Sequence, residues 1–326
     1  MTAEPFVSVV TPVYNGANFI RECIESVLGQ TYRNLEHVIL DNASTDDTGA
    51  IAAEFAAKDS RVRVHRNQRT LPMVENWNRS MKLASDAASY VKILHADDAM
   101  YPECLAKMIA LAQADPKVGM LGTLRLRGDQ GVECGGLARG TAIYSGREVA
   151  QLYLRREVFS FAPTGGLIRG DIVRGRRPFY PKEYLHADLA AYFDLLYRYD
   201  YGHVDEVLQF SRVHPDSVSA TIAIRKQTLM GEWLPLLRAY GPRYFTADEL
   251  RDVERQFVRR YHRLLVRRFV ARDRTFLDHH LPRLRTEKLM PGAVDVLRAV
   301  AAEAAASIAR PARVVQEIKG QRRATA

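Results

Sequence analysis

Short apolar runs alternate with segments of helical periodicity along the first half of the chain. The runs are rich in Val, Ile and Leu and predict strands at 6–11, 35–40, 61–66, 89–94 and 118–123. Between them, apolar side chains recur at every third or fourth position, and this spacing predicts helices. Strands and helices that alternate with short connections are typical of an α/β fold with a largely parallel central sheet.

The pattern changes after about residue 124. A Gly-rich stretch, "LRGDQGVECGGLARG", predicts a loop, and Ser145 is placed to cap a helix that follows it. Further on, the pattern predicts a short strand, an amphipathic helix and one more strand, in "APTGGLIRGDIV", "LHADLAAYFDLLYRY" and "HVDEVLQFSRVH". Beyond Ala220 almost every segment reads as helix, so we predict a boundary near residue 222. The expected organisation is an α/β domain at 1–222 and a helical region at 223–326.

The basic charge of the chain is concentrated in its last third. Residues 223–326 hold 22 Lys and Arg against 11 Asp and Glu, whereas residues 1–222 hold 25 against 27. This asymmetry favours an anionic partner, such as a lipid surface or a nucleic acid, and is equally typical of a solvated helical face.

Composition indicates a cytoplasmic protein. The first residues, "MTAEPFVSVV", lack the basic and apolar regions of a secretory signal, and no run of about 18 uncharged apolar residues occurs. The three cysteines, Cys23, Cys104 and Cys134, are odd in number and far apart. We therefore expect reduced thiols rather than a disulfide framework or a zinc site.

Polar residues gather where the predicted strands end. Ligands of parallel sheets bind outside the carboxyl ends of the strands. The first strand is expected to end at Pro12, between Thr11 and Tyr14, whose hydroxyl and ring can hydrogen-bond and stack on a nucleobase. Asp41 ends the second strand, where its carboxylate can accept a hydrogen bond from an imide N–H or a ribose hydroxyl.

The fourth strand is followed by "HADD", which contains Asp97 and Asp98. Carboxylate oxygens suit Mg²⁺ or Mn²⁺, and such a cation would bind a diphosphate. The chain has no G-x-x-x-x-G-K-[ST] loop that would cradle phosphates instead. Each feature alone has an ordinary interpretation, because adjacent aspartates are common in turns, and Asp46 and Asp47 fit the first turn of a helix. Together, at the ends of different strands, they favour a nucleotide-diphosphate site.

Five segments resemble family 2 glycosyltransferases over roughly residues 6–220. They are "VSVVTPVYNGANFIRECIESVLGQTYRNLEHVILDNASTDDT", "YVKILHADDAMYPECL", "GGLIRGDIV", "HADLAAYFDLLYR" and "VDEVLQFSRVHPDSVS". The resemblance implies a GT-A fold, which is Rossmann-like with helices flanking a largely parallel sheet. It also implies a nucleotide-sugar half at about 1–123 and an acceptor half at about 124–222, followed by the helical region.

The resemblance assigns roles on the donor side. Thr11, Pro12, Tyr14 and Asp41 correspond to positions that hold the base and ribose, with Asp41 most often facing uracil. Asp97 and Asp98 correspond to the metal and diphosphate segment. His95 stands where the family often has a first Asp, which leaves open which carboxylate binds the cation directly. Our expectation is Asp98, with Asp97 near the donor sugar or the metal, and Mn²⁺ or Mg²⁺ as the cation.

Asp188 corresponds to the catalytic base of the family, and Ala187 replaces the Glu that usually precedes it. This match implies inversion at the anomeric carbon. The helix dipole at the start of a helix would favour the ionised form that a general base requires. The alternative is a helix-terminal acid without chemistry.

Other positions have weaker assignments. Arg212 is expected to reach the diphosphate, and His214 the diphosphate or the metal, although a surface-loop histidine is equally compatible with the pattern. Gly165 and Gly166 correspond to the acceptor side, where missing side chains admit a sugar. Asn76 is expected to face the donor, whereas its neighbour Trp77 fits the core better.

The basic stretch "RQFVRRYHRLLVRRFVARDRTFL" places Phe257, Tyr261, Leu264, Leu265 and Phe269 on a helix among arginines. This pattern favours packing on a core or in a homodimer, and an anionic membrane surface is the second interpretation. A membrane would suit lipid-linked acceptors, and the enzyme would then be peripheral at the inner face of the membrane. We do not expect nucleic acid as a partner.

Three functions compete at this point. The first is an inverting transferase that moves a sugar from a nucleoside-diphosphate sugar, with UDP favoured, to a hydroxyl of a glycan or lipid-linked acceptor in bacterial surface polysaccharide or glycoconjugate synthesis. A nucleotidyltransferase would need a Gly-rich basic loop after the first strand, and "TPVYNGANF" provides none. The third is a non-catalytic module that binds glycan, protein or nucleic acid.

Overall fold

The computed structural model describes residues 4–133, 136–138, 140, 142–157, 166–214 and 226–305. The chain divides into two compact units, Met1–His214 and Pro215–Ala326. The predicted boundary near residue 222 falls within 215–225, outside the described residues, and stays a prediction.

The first unit alternates strands and helices through most of its length. In chain order its elements are β1 Val7–Val13, α1 Ile20–Leu28, β2 Leu35–Asp41, α2 Thr48–Lys58, β3 Val62–Arg66, α3 Met73–Leu83, β4 Tyr90–Ile93, β5 Ala99–Met100, α4 Cys104–Ala114, β6 Val118–Arg127, β7 Val132–Glu133, β8 Ile143–Tyr144, α5 Gly146–Arg155, β9 Leu167–Arg169, α6 Gly170–Gly175, α7 Ala187–Leu196 and β10 Asp200–Ser211. This order confirms the predicted α/β class.

The strands form one mixed sheet in the order β3-β2-β1-β4-β9-β6-β10-β5, with β7 beside β6 and β8 beside β10. β3, β2, β1 and β4 are parallel neighbours, and β6 is parallel to β10. Because β9 is antiparallel to both β4 and β6, these two strands run in the same direction. The carboxyl ends of β1, β2, β4 and β10 therefore lie at one edge of the sheet, which we call the ligand edge.

The central strands are buried along their whole length. All seven residues of β1 and of β2 are buried, as expected for strands of a sheet that helices cover on both faces. On one face, Val7 and Val9 pack with Cys23 and Val27 of α1. These strands form a rigid scaffold that holds the loops at the ligand edge.

The structure corrects the prediction that Pro12 ends the first strand. β1 continues to Val13 and pairs with β2 up to Val13 and Asp41. On its other side β1 pairs with β4, and the last paired residues there are Val10 and Ile93. The position of Pro12 along the strand directs its missing N–H toward that side, beyond the last pair, so no hydrogen bond of the sheet is lost.

The second unit is helical, as predicted. It contains α8 Thr228–Tyr240, a 3-10 turn Gly241–Arg243, α9 Ala247–Val270, α10 Arg274–Thr286 and α11, described over residues 293–305. None of the described helices is both long enough and apolar enough to cross a bilayer. In α9, Phe257, Tyr261 and Leu265 are buried, so the interpretation of this stripe as core holds for these three. Phe269, predicted on the same stripe, is exposed.

Candidate functional site

The loop after β1 is held to the start of α2. The N–H of Gly16 donates to Thr48 Oγ1 at 2.8 Å, and the N–H of Ala17 donates to Asp46 Oδ2 at 3.0 Å. Asp46 also accepts from the N–H of Thr48, the first residue of α2, at 3.1 Å, so it lies just before the helix rather than in its first turn. These bonds fix the shape of the ligand edge, and Tyr14 remains 52% exposed there.

Thr11 faces the core of the sheet. Its Oγ1 lies 2.9 Å from His37 Nε2, and both side chains are fully buried. Burial lowers the pKa of His37 to about 3, so the imidazole is neutral. The hydroxyl of Thr11 thus joins β1 to β2. A contact between Thr11 and a base would have to use backbone atoms of Thr11, and that contact stays a prediction. Pro12, predicted to bind there too, is a buried residue of the strand.

Asp41 is fixed at the end of β2. Its carboxylate accepts from the N–H of Ser44 at 2.8 Å and from Arg66 Nη1 at 2.5 Å. The side chain of Asp41 is 1% exposed, whereas that of Arg66 is 55% exposed. Arg66 brings positive charge to the ligand edge, and sequence reasoning missed it, although it stands at the carboxyl end of β3. The predicted contact of Asp41 with uracil stays a prediction.

Asn76 lies in a buried network of amides. Asn67 Nδ2 donates to Asn76 Oδ1 at 3.0 Å and to Asn42 Oδ1 at 2.7 Å. Asn67 Oδ1 is buried without a hydrogen-bond partner among the described residues. The network stabilises the region beside β2, and the predicted contact of Asn76 with the donor is untested.

The end of β10 is attached to the segment that follows β4. His214 Nε2 lies 3.2 Å from Asp97 Oδ2, and the N–H of Arg212 donates to Asp98 Oδ1 at 3.0 Å. Arg212 Nε also donates to the carbonyl oxygen of Asp97 at 3.2 Å. We call these four residues the β4–β10 clasp. It brings together side chains that are more than 100 residues apart in sequence.

The clasp also determines which side chains are available to a cation. Among the residues that the structure describes, no group of three or more His, Cys, Asp or Glu side chains is arranged to hold a metal ion. Asp98 is 6% exposed and its Oδ1 accepts from the backbone, whereas Asp97 and His214 are adjacent with side chains 30% and 18% exposed. A carboxylate oxygen beside an imidazole nitrogen fits a divalent cation such as Mn²⁺.

Aromatic rings and an ion pair hold Arg212 in place. Its guanidinium lies 5.2 Å from the ring centroids of both Phe19 and Phe210, and it pairs with Glu22 at 2.5 Å. The ring of Phe19 also lies 4.6 Å from that of His214. Sequence reasoning missed Phe19 and Glu22, because the start of α1 shows only helical periodicity.

Asp188 is the second residue of α7 and is partly buried. Burial raises the pKa of its carboxyl to about 6, although the backbone N–H groups of Leu189 and of Asp188 itself favour the ionised form. Burial therefore outweighs the helix terminus that the sequence led us to emphasise. Burial also raises the pKa values of Tyr153, Tyr180 and Tyr192, and the negative charge of Asp188 adds to each shift.

Trp77 connects the surroundings of Asp188 with the segment after β4. Its ring centroid lies 5.4 Å from that of His95 and 5.6 Å from that of Tyr180. The backbone N–H of Tyr180 donates to Asn78 Oδ1 at 2.8 Å, which fixes this contact. Ring contacts thus run from His95, two residues before Asp97, to Tyr180, one of the tyrosines whose pKa the charge of Asp188 raises.

The acceptor side is only partly described. Gly166 is buried immediately before β9, and Gly165 lies outside the described residues. Their predicted role in admitting an acceptor sugar stays a prediction. Cys23 and Cys104 are buried free thiols, and Cys134 also lies outside the described residues.

Comparison with known sequences gives partial matches. Glycosyltransferase GlyA of Streptococcus pneumoniae serotype 4 is 34% identical over 122 residues, which are 36% of this chain and 17% of GlyA. Glycosyltransferase GlyG of the same organism is 33% identical over 116 residues, which are 35% of this chain and 38% of GlyG. The chain therefore matches less than half the length of these relatives.

Comparison with solved structures establishes the fold. Staphylococcus aureus TarS 1–349 in complex with UDP-GlcNAc has a TM-score of 0.62 at 16% identity, over 78% of this chain and 72% of TarS. Mannosyltransferase PcManGT from Pyrobaculum calidifontis, in complex with GDP-Man and Mn²⁺, has a TM-score of 0.59 at 18% identity, over 96% and 83% of the chains. These likenesses confirm the predicted GT-A fold. Residues 8–175, just over half of the chain, match the sequence pattern of glycosyl transferase family 2, and the chain belongs to that family.

Proposed function

We propose that this protein is an inverting glycosyltransferase that moves a sugar from a nucleoside-diphosphate sugar to a hydroxyl of a glycan or lipid-linked acceptor. The observation that carries this proposal is the pairing of Asp97 with His214 at the ligand edge, in a unit that also holds a carboxylate with a raised pKa, Asp188. A uridine donor is favoured by the resemblance at Asp41, and synthesis of bacterial surface polysaccharide or glycoconjugate is the proposed context.

The donor nucleotide would occupy the ends of β1 and β2. Tyr14 offers an exposed ring for stacking, and the paired loops after these strands offer backbone groups. The carboxylate of Asp41 can accept a base N–H while the hydrogen bond from Arg66 holds it in place. Similar folds are known with UDP-GlcNAc and with GDP-Man, which supports a nucleotide-sugar donor as a class.

The diphosphate would lie against the β4–β10 clasp. Asp97 and His214 would hold a divalent cation, with Asp98 orienting the backbone of Arg212. Such a cation, when bound, neutralises the charge that grows on the departing diphosphate. The guanidinium of Arg212 can add a charge-assisted hydrogen bond to a phosphate oxygen.

Asp188 would act as the general base. With a pKa of about 6, about nine in ten of its carboxyls are ionised at pH 7, and the group still binds a proton far better than an ordinary aspartate. As the acceptor oxygen bonds to the anomeric carbon, the bond from that carbon to the diphosphate oxygen breaks and the acceptor proton passes to Asp188. Attack from the opposite face inverts the configuration.

The competing functions have less support. Membership in the glycosyl transferase family and the absence of a Gly-rich basic loop after β1 argue against a nucleotidyltransferase. A non-catalytic module would not need a partly buried carboxylate whose pKa is raised toward neutrality.

Turnover with a panel of nucleotide sugars tests the proposal. The full chain is incubated with UDP-, GDP- and other nucleotide sugars, each with Mn²⁺, Mg²⁺ or EDTA, and release of the nucleoside diphosphate is measured. We expect release with one donor class, dependence on the cation, and a product of inverted anomeric configuration. Donor binding in a thermal-shift assay without any turnover across acceptors would support the non-catalytic module instead.

A further inference from the structure

The end of α9 differs from the rest of that helix. Phe257, Tyr261 and Leu265 are buried, but the last two residues, Phe269 and Val270, are 70% and 76% exposed. Phe269 continues the four-residue spacing of this stripe, and Val270 points to another side of the helix. The stripe is therefore buried only up to Leu265, and the apolar side chains beyond it are open to solvent.

Basic side chains surround these two residues. Arg267 pairs with Glu303 at 3.2 Å, and Arg268 pairs with Asp273 at 3.2 Å. Arg272 and Arg274 are exposed, and within the described part of the second unit no ion pair is formed by either of them. The corner between α9 and α10 thus exposes two apolar side chains close in sequence to two arginines that form no ion pair among the described residues.

α11 exposes a second apolar surface. Ala299 is buried, whereas Val294, Leu297 and Val300 are 58%, 69% and 49% exposed. Their spacing of three residues places them along one side of the helix. Arg298 is exposed beside them and adds a further positive charge.

The two surfaces approach each other. Glu303 of α11 pairs with Arg263 at 3.0 Å and with Arg267 at 3.2 Å, so this end of α11 lies against the end of α9. Val300 lies about one turn before Glu303 and Val270 about one turn after Arg267, whereas Phe269, two residues after Arg267, lies on another side of α9. We name Phe269, Val270, Arg272, Arg274, Val294, Leu297 and Val300 together the corner patch.

We propose that the corner patch docks the protein on an anionic lipid bilayer. Exposed apolar side chains among arginines suit the boundary between headgroups and acyl chains, where apolar groups insert and arginines meet phosphates. The adjoining sequence 306–326 carries five basic residues and one acidic residue, which adds attraction of the same sign. This inference does not depend on the proposed reaction.

A second copy of this chain is the main alternative occupant, and charge disfavours it. A two-fold symmetric contact uses the same surface on both copies, so the interface would contain Arg272 and Arg274 twice. Like charges brought together at an interface oppose association. An anionic bilayer instead neutralises them.

Liposome sedimentation of the full chain tests the proposal. Vesicles of phosphatidylcholine alone are compared with vesicles that contain phosphatidylglycerol as well. We expect the protein to sediment with the anionic vesicles, to stay in solution with the neutral ones, and to be released as NaCl is raised.

Matched variants locate the surface. Arg272→Gln with Arg274→Gln is expected to weaken binding to anionic vesicles by about 10- to 30-fold, since each basic residue near the surface contributes about three- to fivefold. Phe269→Ser with Leu297→Ser is expected to weaken it as well. The control, Arg251→Gln with Arg255→Gln, removes the same charge from exposed positions on α9 outside the patch and should leave binding nearly unchanged.

Four results would overturn the proposal. They are no binding to anionic vesicles, equal binding to neutral vesicles, equal losses in the patch and control variants, and binding lost only when residues 306–326 are removed. Light scattering that shows a dimer abolished by Leu297→Ser would assign the patch to a second copy. All substituted side chains are exposed, and unchanged melting curves verify that the variants fold.

Discussion

At the scale of single residues, burial decides the chemistry of Asp188. A carboxyl at the start of a helix would ordinarily ionise easily, yet burial raises the pKa of Asp188 to about 6, and its charge in turn raises the pKa values of three tyrosines. The position in the helix is visible in the sequence, but the tyrosines come from α5, α7 and the segment after α6. No local pattern could have predicted that the charge of one carboxylate acts on all three.

Replacing Asp188 by Asn is expected to lower kcat by about 10²- to 10⁴-fold, the usual cost of losing a general base. Donor affinity in the presence of Mn²⁺ should remain within about threefold, because Asp188 is assigned to the acceptor hydroxyl. The measurements are steady-state kinetics and calorimetric titration of the donor. Since the buried charge is removed, the variant should melt no lower than the wild type at pH 7.5, and near-normal turnover would contradict the assignment.

Activity should depend on the ionisation of Asp188. Because only the carboxylate accepts a proton, kcat/KM is expected to rise as pH passes through about 6 and to become level above about 7. The same raised pKa costs stability, so the free energy of unfolding should fall from about pH 4 to pH 6 through this group, which binds its proton more tightly in the folded state. A pH–rate profile that is flat between pH 5 and 7 would be incompatible with this assignment.

The two adjacent aspartates are expected to respond differently to substitution. Asp97→Asn removes a charged oxygen beside His214 and should weaken Mn²⁺ affinity at least about tenfold. Asp98→Asn keeps an oxygen that can accept from the N–H of Arg212, so Mn²⁺ affinity should change by less than about threefold. Calorimetric titration of Mn²⁺ with saturating nucleotide measures both, and the reverse order would favour the direct Asp98 ligand expected from the sequence.

At the scale of elements, long periodic segments were predictable and short ones were not. β1, β2 and the first four helices follow from apolar spacing alone. β5, β7 and β8 have two residues each, which is too few to show a period, whereas β9, with three, was predicted as the short strand in "APTGGLIRGDIV". The partners of β5, β8 and β9 lie far along the chain, so their antiparallel pairing was missed, as was the helix α6.

Gly170, at the start of α6, allows that helix to lie against the chain before β4. A Cβ there would come 1.9 Å from the carbonyl oxygen of Ala88, whereas a Cβ on Gly175 of the same helix would meet nothing within 4 Å. Gly170→Ala is therefore expected to lower the free energy of unfolding by about 2 to 3 kcal/mol. Gly175→Ala, the control, should change it by less than about 0.5 kcal/mol. Chemical denaturation measures both, and equal effects would contradict the close packing.

At the scale of the whole molecule, the direction of the strands matters most. β1, β2, β4 and β10 are far apart in sequence, yet all end at the ligand edge. For the first three strands, the sequence predicted this from parallel connections. The sequence did not predict that β10 also ends at this edge, because the direction of β10 relative to β4 depends on the antiparallel strand β9 between β4 and β6.

Hydrogen exchange should show where the donor binds in the full chain. With a turnover-competent nucleotide sugar and Mn²⁺, we expect slower exchange in 11–17, 41–49, 95–98 and 211–214. Backbone N–H groups of these segments are fixed at the ligand edge, and a bound donor would cover them. Residues 251–265 of α9 serve as an internal reference and should be unchanged. Protection confined to the second unit would place the donor elsewhere.

The fully buried strands β1 and β2 and the loops at their ends have separate tasks. Burial maintains folding in the strands, while the loops carry Tyr14, Asp46 and the other groups that would meet a ligand. Exchanging those loops for sequences of the same length should thus alter which sugar nucleotide is accepted at little cost to thermal stability. In evolution, the same division would let donor preference diverge between descendants while the framework stays constant.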